Sequence, residues 1–336
     1  MKHILLIGGT RNVGYDLTQE LAKRDYRVTL LNRGKEHADV PEGVARLHVD
    51  RTDPNQVRRA LMAKKFDIVI DFALYKPAEA ETMVKLLQGE SEIERYIFIS
   101  TGQVYLVRED AERPYSEDDY AGRLIPSPKE LTYAFEEWEY GYNKRMAEDA
   151  FHAAYEESGF PYTSLRLPMV NSERDPFKRI FNYYLRIKDG GPILIPETPN
   201  YPLRHIYGKD VVRAIMLLIE SDKGIGRAYN ISQDETVSID EFLMILGEVV
   251  GSVPDIRRFS RRELEAAGFL PDCSPFTERW MSELSNERSK RELGMTYTPL
   301  RTYLQNLVNY YESHEIKQPS TFKRRYSEVQ FALNVD

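Results

Sequence analysis

Along the first 170 positions the apolar residues keep two alternating rhythms. Short runs at 3–8 (HILLIG), 27–32 (RVTLLN), 45–50 (ARLHVD), 66–73 (FDIVIDFA), 95–101 (RYIFIST) and 162–168 (YTSLRLP) have the length and composition of strands. Between them apolar residues recur three and four apart, as at Val13, Leu17 and Leu21 and again at Met83, Leu86 and Leu87, which predicts amphipathic helices. Parallel strands that alternate with helices are joined by right-handed crossovers. The stretch therefore predicts an α/β fold, a doubly wound parallel sheet with helices on both faces.

From about residue 171 the rhythm breaks. The stretch GGPILIPETPNYP is punctuated by Gly and Pro, and a second region is expected to begin there. Lys209–Glu220 reads as a helix and AYNIS as a strand returning to the sheet, so the regions interleave: 1–170 with 206–232 against 171–205 with 233–312. Ser238 and Glu241 have the spacing of a capping box ahead of FLMILGEVV, and further helices are expected at about 261–268, 286–293 and 300–312. The polar, basic tail 313–336 is expected to be loosely held or to pack across the surface.

With 336 residues, 42% of them hydrophobic, the chain can bury a full core, which excludes a disordered protein. Its 46 basic residues against 53 acidic ones leave a net charge of −7, which argues against a nucleic-acid partner. The single cysteine, Cys273, excludes an intrachain disulfide and a thiolate metal cluster, and the six histidines show no metal-ligand spacing, so no metal is expected. No apolar run has the length of a membrane span, and Ile4 to Ile7 is too short for a signal-peptide core. A cytoplasmic protein without a membrane partner is the expectation.

Three motifs can carry chemistry. Gly8-Gly9-Thr10-Arg11-Asn12-Val13-Gly14 lies between a strand and a helix, where a dinucleotide pyrophosphate needs a tight turn and free helix amides. Tyr140 and Lys144 stand four apart ahead of a helical stretch, which puts phenol and ammonium on one face, with the Lys charge favouring the phenolate. Thr101 ends the fifth strand run, on the edge where open α/β sheets place their ligands.

In this order and spacing the three motifs resemble the short-chain dehydrogenase/reductase superfamily, in its extended NAD-dependent epimerase/dehydratase branch. The resemblance runs on through Arg166-Leu167-Pro168, the stretch from Arg204 to Asp210, and Tyr229-Asn230-Ile231-Ser232. It implies a Rossmann-type NAD(P)-binding domain with a smaller substrate-binding domain. The implied activity is that of an NAD(P)-dependent oxidoreductase or epimerase acting at a carbinol or keto carbon, with nucleotide sugars among its small-molecule substrates. By the same resemblance Thr101 orients the substrate, Tyr140 is the acid/base, Lys144 holds the nicotinamide ribose and lowers the Tyr140 pKa, and Asp50 contacts the adenine. Gly8, Thr10, Arg11, Asn12, Val13 and Gly14, with Asn32, Arg33, Arg51, Ala73 and Pro168, complete the expected cofactor contacts. A homodimer paired through 140–157 and 78–88 is implied as well.

The sequence also departs from that pattern. Arg11 stands where the middle glycine is usual, which resembles an atypical subgroup that includes reductases, epimerases and chloroplast stem-loop RNA-binding proteins. RNA binding or nucleotide sensing is therefore the competing function, and the intact Thr101, Tyr140 and Lys144 favour chemistry over it. Met169 and Ser172 replace the Asn and Gly of many nucleotide-sugar enzymes, and Arg204, a candidate phosphate grip, lies one residue closer to Asp210 than usual. Gly102 and Gln103 stand where 4,6-dehydratases carry an acid and a base, so dehydration is not expected. The second strand run ends in Asn32 with no carboxylate, while Arg33, Lys35 and Arg11 are cationic; NADP(H) is expected in preference to NAD(H). Finally, Leu106 to Glu139 holds ten acidic and four basic residues and reads as a solvated, partly mobile loop, or as a lid beside the site.

Overall fold

The structure is a computed structural model that describes residues 1–34, 39–62, 64–90, 93–197 and 200–334. In chain order the elements are β1 (His3–Ile7), α1 (Asn12–Ala22), β2 (Arg27–Asn32), β3 (Ala45–His48), α2 (Pro54–Met62), β4 (Ile68–Asp71), α3 (Pro77–Glu90), β5 (Arg95–Thr101), α4 (Gln103–Leu106), α5 (Tyr133–Ser158) and β6 (Tyr162–Leu167). The chain continues through β7 (Val170–Asn171), α6 (Arg179–Asp189), β8 (Pro192–Pro196), β9 (Ile206–Tyr207), α7 (Gly208–Ile219) and β10 (Arg227–Asn230). It ends in α8 (Ile239–Val250), β11 (Asp255–Phe259), α9 (Arg261–Ala266), α10 (Leu300–Ser313) and α11 (Arg325–Leu333).

Seven strands form one sheet in the order β10-β6-β5-β4-β1-β2-β3, with every neighbouring pair parallel. Each residue of β1 and β5 is buried, which is what apolar runs such as Ile4 to Ile7 and Tyr96 to Ile99 between two helical layers produce. The Rossmann-type reading therefore holds. The strand order reverses between β1 and β4, and the carboxyl ends of strands at such a point are where open α/β sheets take their ligands.

Two compact units share the chain: Met1–Pro168 with Gly208–Ser232 and Leu284–Thr296, and Met169–Tyr207 with Gln233–Glu283 and Tyr297–Asp336. The segment from Leu284 differs from the sequence-based boundary, because Leu284 is fully buried with Val104, Tyr105 and Tyr115 of the first unit. Asn286 anchors it further by donating to the Ser232 carbonyl at 2.8 Å. The helix expected over 286–293 is a π-helical turn, Ser289–Leu293, stopped by Gly294 in the left-handed region.

In the second unit α6, α8 and α10 enclose an aromatic core that includes Phe242, Phe276 and Tyr303. The capping box at Ser238 forms: its hydroxyl accepts the Glu241 N–H at 3.2 Å, and the Glu241 carboxylate accepts the Ser238 N–H at 2.8 Å. The Gly/Pro-rich stretch contributes β8, which pairs in parallel with β11. The tail is not loosely held. Within α11, Glu328 is fully buried against Arg186 of α6, because a carboxylate can enter a core only where a cation meets it.

Candidate active site

The turn after β1 carries the glycine motif at the start of α1. A Cβ on Gly14 would lie 2.8 Å from the Gly9 Cα, so only glycine lets the helix start this close to the strand end. Thr10 N–H donates to the Gly8 carbonyl at 2.8 Å and closes the turn, while Val13 is buried beneath it. Arg11 occupies the N-cap position in extended backbone and its side chain makes no cap hydrogen bond, and the first amides of α1 point to the turn side of the helix. Asn12 follows with φ at 48°.

The second strand ends as an Asx turn, with Asn32 Oδ1 accepting the Gly34 N–H at 2.9 Å. This turn presents Arg33, which is exposed and close enough to Asp50 to lower that carboxyl. The main cause of the Asp50 shift is nearer: its Oδ1 accepts the Thr52 hydroxyl at 2.7 Å and the Thr52 N–H at 3.0 Å. Lys35, the third cation of the expected set, lies outside the described residues.

Arg51 is engaged within the protein. Its guanidinium pairs with the fully buried Asp71 at the end of β4 and donates from Nε to the Ala73 carbonyl at 3.0 Å. Asp71 also accepts the Tyr96 hydroxyl at 2.6 Å and the Ala73 N–H at 2.9 Å. Burial works against the Arg51 charge, but Asp71 outweighs it and holds the guanidinium pKa above its ordinary value. The sequence motif thus names a residue that shapes the β4–α3 turn.

The catalytic candidates converge where the end of β5 meets the body of α5. Thr101 is buried at the last position of β5, and Gln103 N–H donates to its Oγ1 at 3.3 Å. Gly141 lets α5 approach, since a Cβ there would lie 2.7 Å from the Gln103 carbonyl oxygen. Tyr140 and Lys144 follow on one face of α5. Tyr142 points elsewhere and stacks on Trp138, with ring centroids 4.9 Å apart. Burial raises the Tyr140 phenol and the hydrogen bond with Thr101 pulls it down, the net shift being upward. This corrects the expected lowering by Lys144: desolvation wins, and the ammonium lies 5.9 Å from the phenol ring centroid. Lys144 itself is 2% exposed and donates to the Ile99 carbonyl at 2.8 Å, and burial lowers its pKa to about 8.

A buried polar network that the motifs did not reveal backs this set. Glu148 accepts from Ser100 and, at 2.6 to 3.1 Å, from Arg166. Arg166 also donates to the Tyr105 hydroxyl at 2.6 Å, which donates to Asn230 Oδ1 of β10 at 2.8 Å. The acidic segment after β5 joins in, and so is not a solvated loop throughout. Glu117 is buried and accepts the Asn230 N–H at 2.7 Å, and the Arg166 guanidinium stands 4.3 Å from the Tyr120 ring. Its remaining tip is open, Leu131 being 99% exposed. Pro168 is buried just past β6. Arg204 belongs to the second unit, where its Nε donates to the Gln233 carbonyl at 2.9 Å.

A family model described as "NAD dependent epimerase/dehydratase family" matches residues 4–232, about two thirds of the chain, including Gly8–Gly14, Thr101, Tyr140 and Lys144. The chain belongs to that NAD-dependent epimerase/dehydratase family.

Relatives of this epimerase/dehydratase chain carry diverse names. It is 26% identical over 309 residues to the chloroplast stem-loop binding protein of 41 kDa b of Arabidopsis thaliana, covering 87% of this chain and 74% of that protein. It is 24% identical to 2'-dehydrokanamycin reductase of Streptomyces kanamyceticus, covering 82% and 75%. Similarity at 23% identity extends to a UDP-N-acetyl-alpha-D-glucosaminuronate decarboxylase of Bacillus cytotoxicus, covering 82% and 89%. Among solved structures, UDP-glucose 4-epimerase of Thermotoga maritima superposes with a TM-score of 0.72 at 20% identity, covering 92% of this chain and 98% of that one, and so shares the fold. Among the described residues no helix is long and apolar enough to cross a membrane.

Proposed function

We propose that the chain is an NAD(P)-dependent oxidoreductase or epimerase that moves a hydride and a proton at one carbinol carbon of a small molecule. Nucleotide sugars are the substrate class that several relatives' names point to. The observation that carries the reading is the convergence of Thr101, Tyr140 and Lys144 at the carboxyl end of β5, beside the point where the strand order reverses.

The glycine turn fits a dinucleotide, because the Gly9–Gly14 approach leaves no room for a Cβ and the α1 amides face the turn. In this reading Gly8, Thr10, Arg11, Asn12, Val13 and Gly14 hold the pyrophosphate, Asp50 and Ala73 the adenine side, Asn32 and Arg33 the adenine ribose, Lys144 the nicotinamide ribose, and Pro168 flanks the ring. Bound there, the nicotinamide supplies the hydride chemistry. Raised by burial, the Tyr140 phenol is protonated at neutral pH, so it serves first as an acid toward a substrate carbonyl and takes the proton back in the reverse direction. Thr101 Oγ1 orients the reacting oxygen. Gln103 Oε1, buried with no hydrogen-bond partner among the described residues, offers an acceptor for a neighbouring substrate hydroxyl.

Tyr140→Phe tests the assignment. Turnover on a panel of UDP-sugars is expected to fall by roughly 10²–10⁴-fold, with NADH affinity by fluorescence titration unchanged. Wild-type turnover in that variant overturns the acid/base role.

The choice of cofactor is a finer reading. Several neighbouring structures hold NAD, whereas the exposed Arg33 and Arg11, with no carboxylate ending β2, favour a 2′-phosphate and hence NADP(H). Dissociation constants of both cofactors in wild type and Arg33→Ala decide it, and tighter NADH binding by wild type removes the NADPH preference. A homodimer paired through 78–88 and 140–157 belongs to the same reading, checked by light scattering.

The name of the chloroplast relative favours one alternative, RNA hairpin binding. The net charge of −7 opposes it. Submicromolar hairpin affinity that survives 200 mM salt would establish that alternative.

A further inference from the structure

Lys144 is a buried cation that forms no ion pair among the described residues. Three aromatic faces surround it instead. Its Nζ lies 4.8 Å from the ring centroid of Phe98 on β5, 4.9 Å from that of Tyr75 and 5.9 Å from that of Tyr140 on α5, each within cation–π range. Phe98 is fully buried core and Tyr140 belongs to the catalytic set, whereas Tyr75 comes from the β4–α3 turn and is 52% exposed. An aromatic residue that leaves half its surface in water is not held there by burial alone, and its ring stands 6.2 Å from that of Tyr140.

The turn that carries Tyr75 is fixed from both ends. Glu79 accepts the Tyr75 N–H at 2.8 Å and the Lys76 N–H at 3.2 Å, while Arg51 holds Asp71 and the Ala73 carbonyl ahead of it. The backbone that carries the Tyr75 ring is therefore set by contacts that do not involve Lys144.

We propose that Tyr75 is a positioning residue of the active site, the third wall of an aromatic seat that keeps the Lys144 ammonium charged and aimed. The aim at a nicotinamide ribose rests on the proposed function; the seat itself does not. Other groups also act on Lys144: Asp71 of β4, Glu79 of α3, Arg51 of the β3–α2 turn and Glu148 of α5 itself. Asp71 is already engaged by Arg51, Tyr96 and the Ala73 N–H, which leaves the Ile99 carbonyl, 2.8 Å from Nζ, and the three ring faces as the nearest stabilisation. Burial lowers the Lys144 pKa to about 8, so a modest loss of cation stabilisation falls within the working pH range.

The test is an NMR titration of the full-length protein labelled with lysine carrying ¹³C at the ε-carbon, the Lys144 signal being assigned by its loss in Lys144→Met. Wild type and Tyr75→Phe, which keeps the ring face, are expected to titrate together near pH 8. In Tyr75→Leu the midpoint is expected to fall by roughly half to one and a half pH units. NADH affinity in Tyr75→Leu is expected to weaken by about 3- to 10-fold, and the deficit to grow from pH 7 to pH 8.5 as Lys144 loses its proton. Tyr75→Met repeats the measurement with a second apolar side chain. An unshifted midpoint in the Leu and Met variants, or a Phe variant that shifts as far as they do, overturns the proposal. Lys144→Met that binds NADH like wild type would break the cofactor reading, while the titration midpoints still report on the seat.

Discussion

Two buried Arg–Glu pairs, one in each unit, resemble each other in chemistry and differ in what they join. Glu148 and Arg166 lie beneath the catalytic candidates, on α5 and β6, eighteen residues apart in the chain. Their remaining bonds reach Ser100 beside Thr101, and through Tyr105 they reach β10. Glu328 and Arg186 are 142 residues apart and join the last helix to α6, with Arg325, Asp189 and the Cys273 thiol completing the cluster. The thiol is pushed up to about 12 by burial and its bond to Glu328, so it stays a neutral donor. The first pair braces a site; the second closes the chain. Replacing either with apolar residues would be thermodynamically tolerable in principle, so the shared lesson concerns register: each pair admits one arrangement of the elements it joins.

The largest effect expected is on stability, and it should separate the pairs by function. Glu148→Gln and Glu328→Gln each leave a buried guanidinium without its counter-charge and are expected to cost about 3–5 kcal/mol, measured by urea unfolding. Only Glu148→Gln should lower turnover, and only Glu328→Gln should expose the tail to protease while NADH affinity stays at the wild-type value. Equal losses of NADH affinity in both variants would erase the distinction. The double replacement Arg166→Met with Glu148→Leu should recover most of the stability and none of the turnover.

Lys144 sharpens the comparison because it is buried without a carboxylate partner among the described residues. Its folded pKa of about 8 lies below the ordinary 10.5, so the folded state binds fewer protons than the unfolded one between those values. The charge therefore costs stability at neutral pH, and the cost fades as pH rises from about 8 toward 10.5. Lys144→Met is expected to stabilise the protein by about 1–2 kcal/mol at pH 7, with the gain shrinking by pH 10 in parallel thermal melts. A gain that grows with pH would reverse the sign and refute the account.

The smallest effect belongs to a local device in the second unit. Ser238→Ala removes the N-cap of α8 and is expected to cost about 1 kcal/mol, read from urea unfolding, without altering cofactor affinity. A loss as large as that of Glu328→Gln would mean that the second unit depends on its helix caps as much as on its buried pair.

Much of the first unit was legible because its signals are local. Unbroken apolar runs as short as Ile4 to Ile7, bounded by turn residues, read as strands buried on both faces, and helical spacing between them leaves one handedness of crossover. The glycine turn, Thr101 and the Tyr140–Lys144 spacing were readable for the same reason, each being a short motif at a defined place on a strand or helix. The capping box at Ser238 likewise needs only four residues. Tertiary structure decided whatever depended on partners far along the chain. It turned Arg51 inward onto Asp71, brought Tyr75 over Lys144 and buried Glu117 inside a segment whose composition reads as solvent-exposed. It moved Leu284–Thr296 into the first unit and anchored a polar tail by a carboxylate that meets its arginine 142 residues away. A periodic pattern records which face of an element is buried, but a buried charge is decided by the counter-charge that meets it, and for Asp71 with Arg51 and Arg186 with Glu328 that partner lies 20 and 142 residues away, beyond any local window.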